Sequence, residues 1–261
     1  MQHVDVKVTG SVGTVLIRRP EVRGALHPVL IADLMTAWGD LHQERRVRAV
    51  ILAGGGPHFC SGLDLAVMKQ IDALPPEQSS GQWFRLWQSY NELLETMLRF
   101  PKPIIAAVDG VADGAGLALC LAADLVIAGH AARFAASAVG RGLVGSTTAV
   151  MLKHRLGHAA AAELTLTPAT WDAADAAKHG LVSRVVDSDQ VWVAAQTLGE
   201  TIAAGDAAAI AGTKRVLNET VGEALLSQMT AAACDGATFC GTESASEGLA
   251  AFAEKRDPQF P

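Results

Sequence analysis

Two short runs of small residues are where this chain could do chemistry. One is His58-Phe59-Cys60-Ser61-Gly62-Leu63-Asp64, and the other is Gly110-Val111-Ala112-Asp113-Gly114-Ala115-Gly116. Each follows an apolar run of strand length and leads into an apolar run of helical character. A strand-to-helix turn leaves backbone N–H groups unpaired, with the positive end of the helix dipole behind them. Glycine and alanine let a ligand oxygen approach such a backbone closely. Two N–H groups converging on one point form an oxyanion hole, which stabilises a developing negative oxygen. Three readings of these turns stand side by side: tight turns and nothing more, an oxyanion site, or a dinucleotide loop. The last is poorly matched, because Gly114-Ala115-Gly116 lacks the third glycine of GxGxxG and Gly54-Gly55-Gly56 runs into Pro57. Neither GxxxxGK[ST] nor GxSxG occurs, so the usual phosphate-loop and nucleophile-elbow patterns are missing.

The elements that must hold these turns alternate along the chain. Val4–Val8 and Thr14–Arg18 alternate apolar and polar residues, which predicts a β-hairpin. Pro28 marks a helix start, and Val29–Leu41 has helical apolar spacing. Ala49–Ala53 reads as a short buried strand ended by the glycine run, and Gln82–Leu98 as a helix. Ile104–Val108, Leu125–Ala128 and Val182–Val186 read as further strands, and Leu74–Gly81 as a flexible loop. From about Asp189 the pattern is helix after helix, with breaks near Gly205, Gly222 and Gly241. The expectation is an α/β core over residues 1–188 with a mostly parallel sheet, followed by a helical C-terminal subdomain over 189–261.

Composition narrows the classes of function. The chain has 261 residues, 50% of them hydrophobic and 18% charged, with net charge −6. That balance excludes a disordered chain and a surface that binds nucleic acid by bulk positive charge. No signal-peptide pattern is visible, and apolar stretches such as Leu117–Ala123 are too short to span a bilayer. Cys60, Cys120, Cys234 and Cys240 have neither CxxC nor framework spacing, so they read as reduced thiols of a cytoplasmic protein with no metal site. Alanine-rich helices with few aromatic residues point to faces that pack on other subunits.

The order of motifs resembles the crotonase superfamily, also called enoyl-CoA hydratase/isomerase. The matching pieces are Arg23-Gly24-Ala25-Leu26, the run Phe59–Leu65, Phe100–Gly110, Gly114-Ala115-Gly116 with Ala122–Ala128, His179–Val182, and Glu247-Gly248 with Ala251–Arg256. They span nearly the whole chain. The resemblance implies a spiral-like α/β core of β-β-α units whose C-terminal helices serve trimerisation, as a homotrimer or dimer of trimers. It implies an acyl-CoA thioester as ligand, with coenzyme A arriving as part of the substrate and no separate cofactor. The family's two oxyanion donors fall on the backbone N–H groups of Leu63 and Ala115. Substrate contacts are expected from Arg23, Ala25, Leu26, Ser61, Gly62, Asp64, Leu65, Val111, Gly114, Gly116 and Ala138. Arg23 takes the family's basic position near the coenzyme A phosphates, against the plainer reading of a solvated loop charge. Gly24 replaces the family's Asn, and Lys255 matches a position that approaches an adjacent subunit's ligand.

The match fails where protons are moved. Against the family, the two hydratase glutamates fall on Ala118 and Ala138, and the isomerase acid on Gly145 or Ser146. None of these can transfer a proton, and a general acid or base is worth about 10²–10⁴ in rate. Asp113 and His58 are the replacement candidates, read otherwise as a helix cap and as an exposed side chain or backbone partner. Asp64 reads as a helix N-cap, and Glu92 and Glu95 as solvated. Ser137, Arg141 and Ser146 lie near the vacated positions and suit a polar acyl group. Trp83, Trp87 and Tyr90 form one helical stripe of pocket wall or core. The resemblance therefore implies a lyase or isomerase of fatty-acid metabolism that runs isomerisation, decarboxylation or another enolate reaction rather than efficient hydration. The alternative is a non-catalytic acyl-CoA binder or assembly subunit.

Overall fold

The computed structural model describes residues 1–219 and 222–261. Strands β1 (Val4–Thr9) and β2 (Val12–Ile17) form the expected hairpin, with Val4 opposite Ile17 and Gly10 turning the chain at φ +59°. Helix α1 (Pro28–Gln43) follows, then β3 (Ala49–Gly54), α2 (Leu65–Asp72) and α3 (Pro76–Arg99). Next come β4 (Ile104–Val108), β5 (Val111–Asp113), α4 (Ala115–Ala122), β6 (Leu125–Gly129) and β7 (Arg133–Ala135). The chain continues through α5 (Ser146–Leu156), α6 (His158–Leu166), β8 (Thr170–Asp172), α7 (Ala173–Lys178) and β9 (Arg184–Val186). It closes with α8 (Val191–Ala203), α9 (Ala207–Glu219), α10 (Gly222–Phe239) and α11 (Glu243–Glu254). The break expected near Gly222 borders residues 220 and 221, which lie outside the described residues.

A six-stranded sheet runs in the order β1-β2-β3-β4-β6-β9, parallel except for the opening hairpin. A smaller sheet, β5-β7-β8, is extended by single bridges between Cys60 and Ala112 and between Leu26 and Leu63. One pass recurs along the chain: a strand of the large sheet, a short segment of the small one, then a helix. β2, Leu26 and α1 make it; so do β3, Cys60–Leu63 and α2; β4, β5 and α4; and β6, β7 and α5. This is the β-β-α spiral expected of the fold. Each pass ends in a turn at the same edge, and that stacks the two glycine turns on each other.

The central strands β3, β4 and β6 read as unbroken apolar runs because both faces are covered. Val50 and Leu52 face the main core with α1, α3 and α4, while Ile51 and Ala53 face Val191 and Ala195 of α8. Leu74–Gly81 is not a loop over its length: α3 begins at Pro76, and Ser80 donates its hydroxyl back to the Pro76 carbonyl at 2.8 Å. Proline at the first helical position brings a preset φ and no N–H to satisfy, so a proline-serine run that looks like a loop opens a helix. β5, β7 and β8 escape sequence reading because three residues are too few to show alternation.

Helix α9 is pinned to the core by a buried lysine. Lys214 Nζ donates to Asp124 Oδ2 at 2.7 Å and to the carbonyls of Met97 and Lys102 at 3.3 and 3.2 Å. The same Asp124 oxygen accepts from Ile104 N–H at 2.7 Å. Burial lowers the Lys214 pKa, and the Asp124 charge opposes that shift.

Candidate active site at the stacked glycine turns

The two turns are held together by backbone bonds that leave the Leu63 and Ala115 amides without a backbone acceptor. Cys60 N–H donates to the Val111 carbonyl and Asp113 N–H to the Cys60 carbonyl, both at 3.0 Å. From the other side, Leu26 N–H donates to the Gly62 carbonyl at 2.7 Å and Asp64 N–H to the Leu26 carbonyl at 3.0 Å. Gly114 N–H is taken by the Ala135 carbonyl at 3.0 Å. Among the described residues, the N–H groups of Leu63 and Ala115 meet no acceptor. Gly62 and Gly114 precede them at φ +94° and +52°, backbone that side chains rarely adopt. A Cβ on Gly62 would lie 3.3 Å from the Ala115 nitrogen, so the turns are in direct contact.

Asp64 fixes the first amide in place. Its Oδ1 accepts from Ala66 N–H at 3.0 Å, capping α2 as expected, while Oδ2 takes Arg19 Nη1 at 2.9 Å. Arg19 Nη1 also donates to the Ala25 carbonyl at 2.7 Å, and both side chains of the pair are largely buried. Sequence reasoning missed Arg19. Its only signal was a cation next to Pro20, and its partner lies 45 residues on.

A cavity of about 510 Å³ opens onto both free amides. Of the residues expected to contact substrate, Arg23, Ala25, Ser61, Gly62, Asp64, Leu65, Val111, Gly114 and Ala138 line it, together with Leu63 and Ala115. Leu26 and Gly116 do not. Leu26 is core, and a Cβ on Gly116 would strike the Cys60 carbonyl, so their part is to bind the turns together. His58 is also absent from the wall: its Nδ1 accepts from Val111 N–H at 3.3 Å, which makes it a backbone partner. Lys255 and Trp83 stay outside this chain's cavity, whereas Trp87 and Tyr90 line it. Glu92 accepts from Gln88 and Glu95 pairs with Arg99, both away from the wall.

The vacated positions are divided. Ala118 is fully buried core, Ala138 and Gly145 line the cavity, and Ser146 gives its hydroxyl to the Ala232 carbonyl. Beside Ala138 stands a polar corner. Asp113 caps no helix; it accepts from Ser137 N–H at 3.0 Å on Oδ1 and from the Ser137 hydroxyl at 2.5 Å on Oδ2. Arg141 Nη1 donates to the same hydroxyl and lies 3.6 Å from Asp113 Oδ2. The register of β5 with β7, Asp113 opposite Ala135, delivers Ser137 to this carboxylate. Helix α11 backs the corner: a Cβ on Gly248 would come within 1.9 Å of the Arg141 carbonyl oxygen. Burial pushes the Cys60 thiol up to about 12, so no thiolate stands at the turn. The arrangement can offer two backbone donors to one anionic oxygen, with a carboxylate and a guanidinium on the adjacent wall.

Comparison with known proteins agrees in extent as well as in kind. The enoyl-CoA hydratase/isomerase family model matches residues 7–261. A Thermus thermophilus protein carrying a provisional enoyl-CoA hydratase name is 34% identical over 251 residues, which covers 96% of this chain and 98% of the relative. The 1,2-epoxyphenylacetyl-CoA isomerase of Escherichia coli is 30% identical over 262 residues, covering 100% and 98%. The crystal structure of an enoyl-CoA hydratase/isomerase from Xanthobacter autotrophicus superposes with TM-score 0.89 at 26% identity, covering 99% and 98%. Spiral, stacked turns and full-length similarity agree, and the chain belongs to the enoyl-CoA hydratase/isomerase family of the crotonase superfamily.

Proposed function

We propose that the protein binds an acyl-CoA thioester with its carbonyl oxygen between the N–H groups of Leu63 and Ala115, and that it stabilises the enolate formed there. The observation that carries this reading is the pair of unsatisfied amides, on adjoining glycine turns, at the wall of one cavity. Each well-placed donor of this kind lowers the barrier by about 3–4 kcal/mol. Arg23 at the cavity rim serves the coenzyme A phosphates.

The reaction is isomerisation, decarboxylation or another enolate reaction rather than efficient hydration. Holding and activating water across a double bond needs two proton-moving groups, and methyl groups stand at Ala118 and Ala138. Asp113 is the acid–base candidate because it is at the wall, whereas His58 is not. Ser137 and Arg141 suit a polar acyl group. Hydration of crotonyl-CoA by the purified protein at about 10 s⁻¹ or more would overturn this assignment.

A second reading is a non-catalytic acyl-CoA binder or assembly subunit. It is favoured by one observation: both Asp113 oxygens are already occupied by Ser137 donors. It requires saturable thioester binding with no turnover on a broad acyl-CoA panel, and turnover lost in Asp113→Asn rejects it. We infer self-association through the C-terminal helices as a homotrimer or dimer of trimers. Exposed Leu217 and Phe239 support this, and the mass in solution by light scattering tests it.

A further inference from the structure

We propose that Ser137 is a nucleophile and that the pocket hydrolyses acyl-CoA thioesters. This activity is separate from the enolate chemistry above and rests on the same placement of the thioester carbonyl. Ser137 stands half-buried in the cavity wall. Its hydroxyl donates to Asp113 Oδ2 at 2.5 Å, and its N–H donates to Asp113 Oδ1 at 3.0 Å, so carboxylate and serine are bonded twice. From the other side Arg141 Nη1 donates to the Ser137 hydroxyl oxygen and, at 3.2 Å, to the Ser137 carbonyl. A hydroxyl that points its proton at a carboxylate while its oxygen faces a guanidinium is set up to attack a carbonyl carbon. The neighbouring candidates are not. Ser61 and Thr148 of the same wall give their hydroxyls to the carbonyls of Val22 and Gly114, at 3.3 and 3.2 Å. The Cys60 thiol is pushed up to about 12 by burial.

The backbone puts this pair beside the oxyanion donors. Asp113 and Ala115 flank Gly114, whose N–H is held by the Ala135 carbonyl, and Ser137 follows two residues after Ala135. Nucleophile, base and N–H pair therefore share one wall, which is the set that acyl transfer needs. In the first half-reaction Ser137 Oγ bonds to the thioester carbon and its proton passes to Asp113. The carbonyl oxygen takes its negative charge between the Leu63 and Ala115 amides. The C–S bond then breaks, and Asp113 hands the proton to the departing coenzyme A thiolate. In the second half-reaction water attacks the Ser137 ester and loses a proton to Asp113. The ester C–O bond breaks as Asp113 returns that proton to Ser137 Oγ. Water is the one co-reactant, and the products are the free acid and coenzyme A.

The probe is butyryl-CoA, because its saturated chain has no double bond to hydrate or shift. Wild type should release coenzyme A from it, followed by chromatography, and Ser137→Ala should do so about 10²-fold or more slowly. A small alkyl fluorophosphonate should modify Ser137 of wild type, located by peptide mass mapping, and butyryl-CoA should slow that labelling. Wild type that binds butyryl-CoA in calorimetry and leaves it intact overturns the proposal while the acyl-CoA reading stands. Release that persists in Ser137→Ala at an unchanged melting temperature also overturns it, since water then attacks the thioester directly. A wild-type Ser137 that the fluorophosphonate leaves unmodified overturns it without need of a variant. If no CoA thioester binds wild type, the acyl-CoA reading fails and takes this proposal with it.

Discussion

Placing a Cβ on Gly62 would bring it to 2.8 Å from the Asp113 carbonyl oxygen, at a φ that side chains rarely adopt. Gly62→Ala should therefore swing the Leu63 amide out of line, at a backbone cost of about 1–3 kcal/mol. Losing one donor should lower turnover about 10²–10³-fold with the fold retained, as read by steady-state kinetics beside circular dichroism. Asp113→Asn separates two roles of the neighbouring wall. Turnover should fall about 10²–10⁴-fold if the carboxylate moves the proton, while calorimetry finds thioester affinity little changed. The free amides were legible in the sequence because a backbone donor depends on the turn and not on residue type, and Leu63 and Ala115 sit in recognisable turns. The company of Asp113 was not. Ser137 meets it through a strand pairing of three residues on each side, too short to leave a pattern.

Among the elements, α2 is aimed by charge as much as by packing. Removing Arg19 as Arg19→Met leaves Asp64 buried beside no cation. Breaking such a pair from one side costs about 3–5 kcal/mol, measurable as a lower urea midpoint, and should loosen the Leu63 turn as well. The last helix is tied down differently. Glu247 of α11 accepts from Arg256 at 2.5 and 2.9 Å and from Gln259 N–H at 2.6 Å, which lowers its pKa to about 2. Because the folded pKa lies below the ordinary 4.5, this contribution is complete above that value and is lost as pH falls towards 2. The protection factor of the Gln259 amide, its slowing relative to a free peptide at the same pH, should fall over that window, and in Glu247→Gln it should be low throughout. Element type was readable wherever periodicity ran long, as in α1 and α3. It failed at Pro75-Pro76, where loop-forming residues preset a helix.

For the molecule as a whole, the C-terminal helices and the sheet share a small number of fixed points. Lys214 is the most buried of these and faces Asp124, which also holds the start of β4. Lys214→Met should lower stability by about 3 kcal/mol and detach α9 before the sheet unfolds, so exchange protection should fall first over 207–219. The division into an α/β body and a helical tail was visible in chain order, since strand patterns stop after Val186. That α8 covers the far side of the sheet was not, because an amphipathic helix does not reveal which surface receives it.

The crowding of Gly248 against Arg141 makes the chain's end mechanically continuous with the pocket's polar corner. An affinity handle or fused reporter spliced after Pro261 would load that junction, and ligand preference measured on such a preparation would describe an altered pocket. Side-by-side assays of N-terminally and C-terminally handled protein should diverge for acyl chains that reach Arg141 and coincide for those too short to do so.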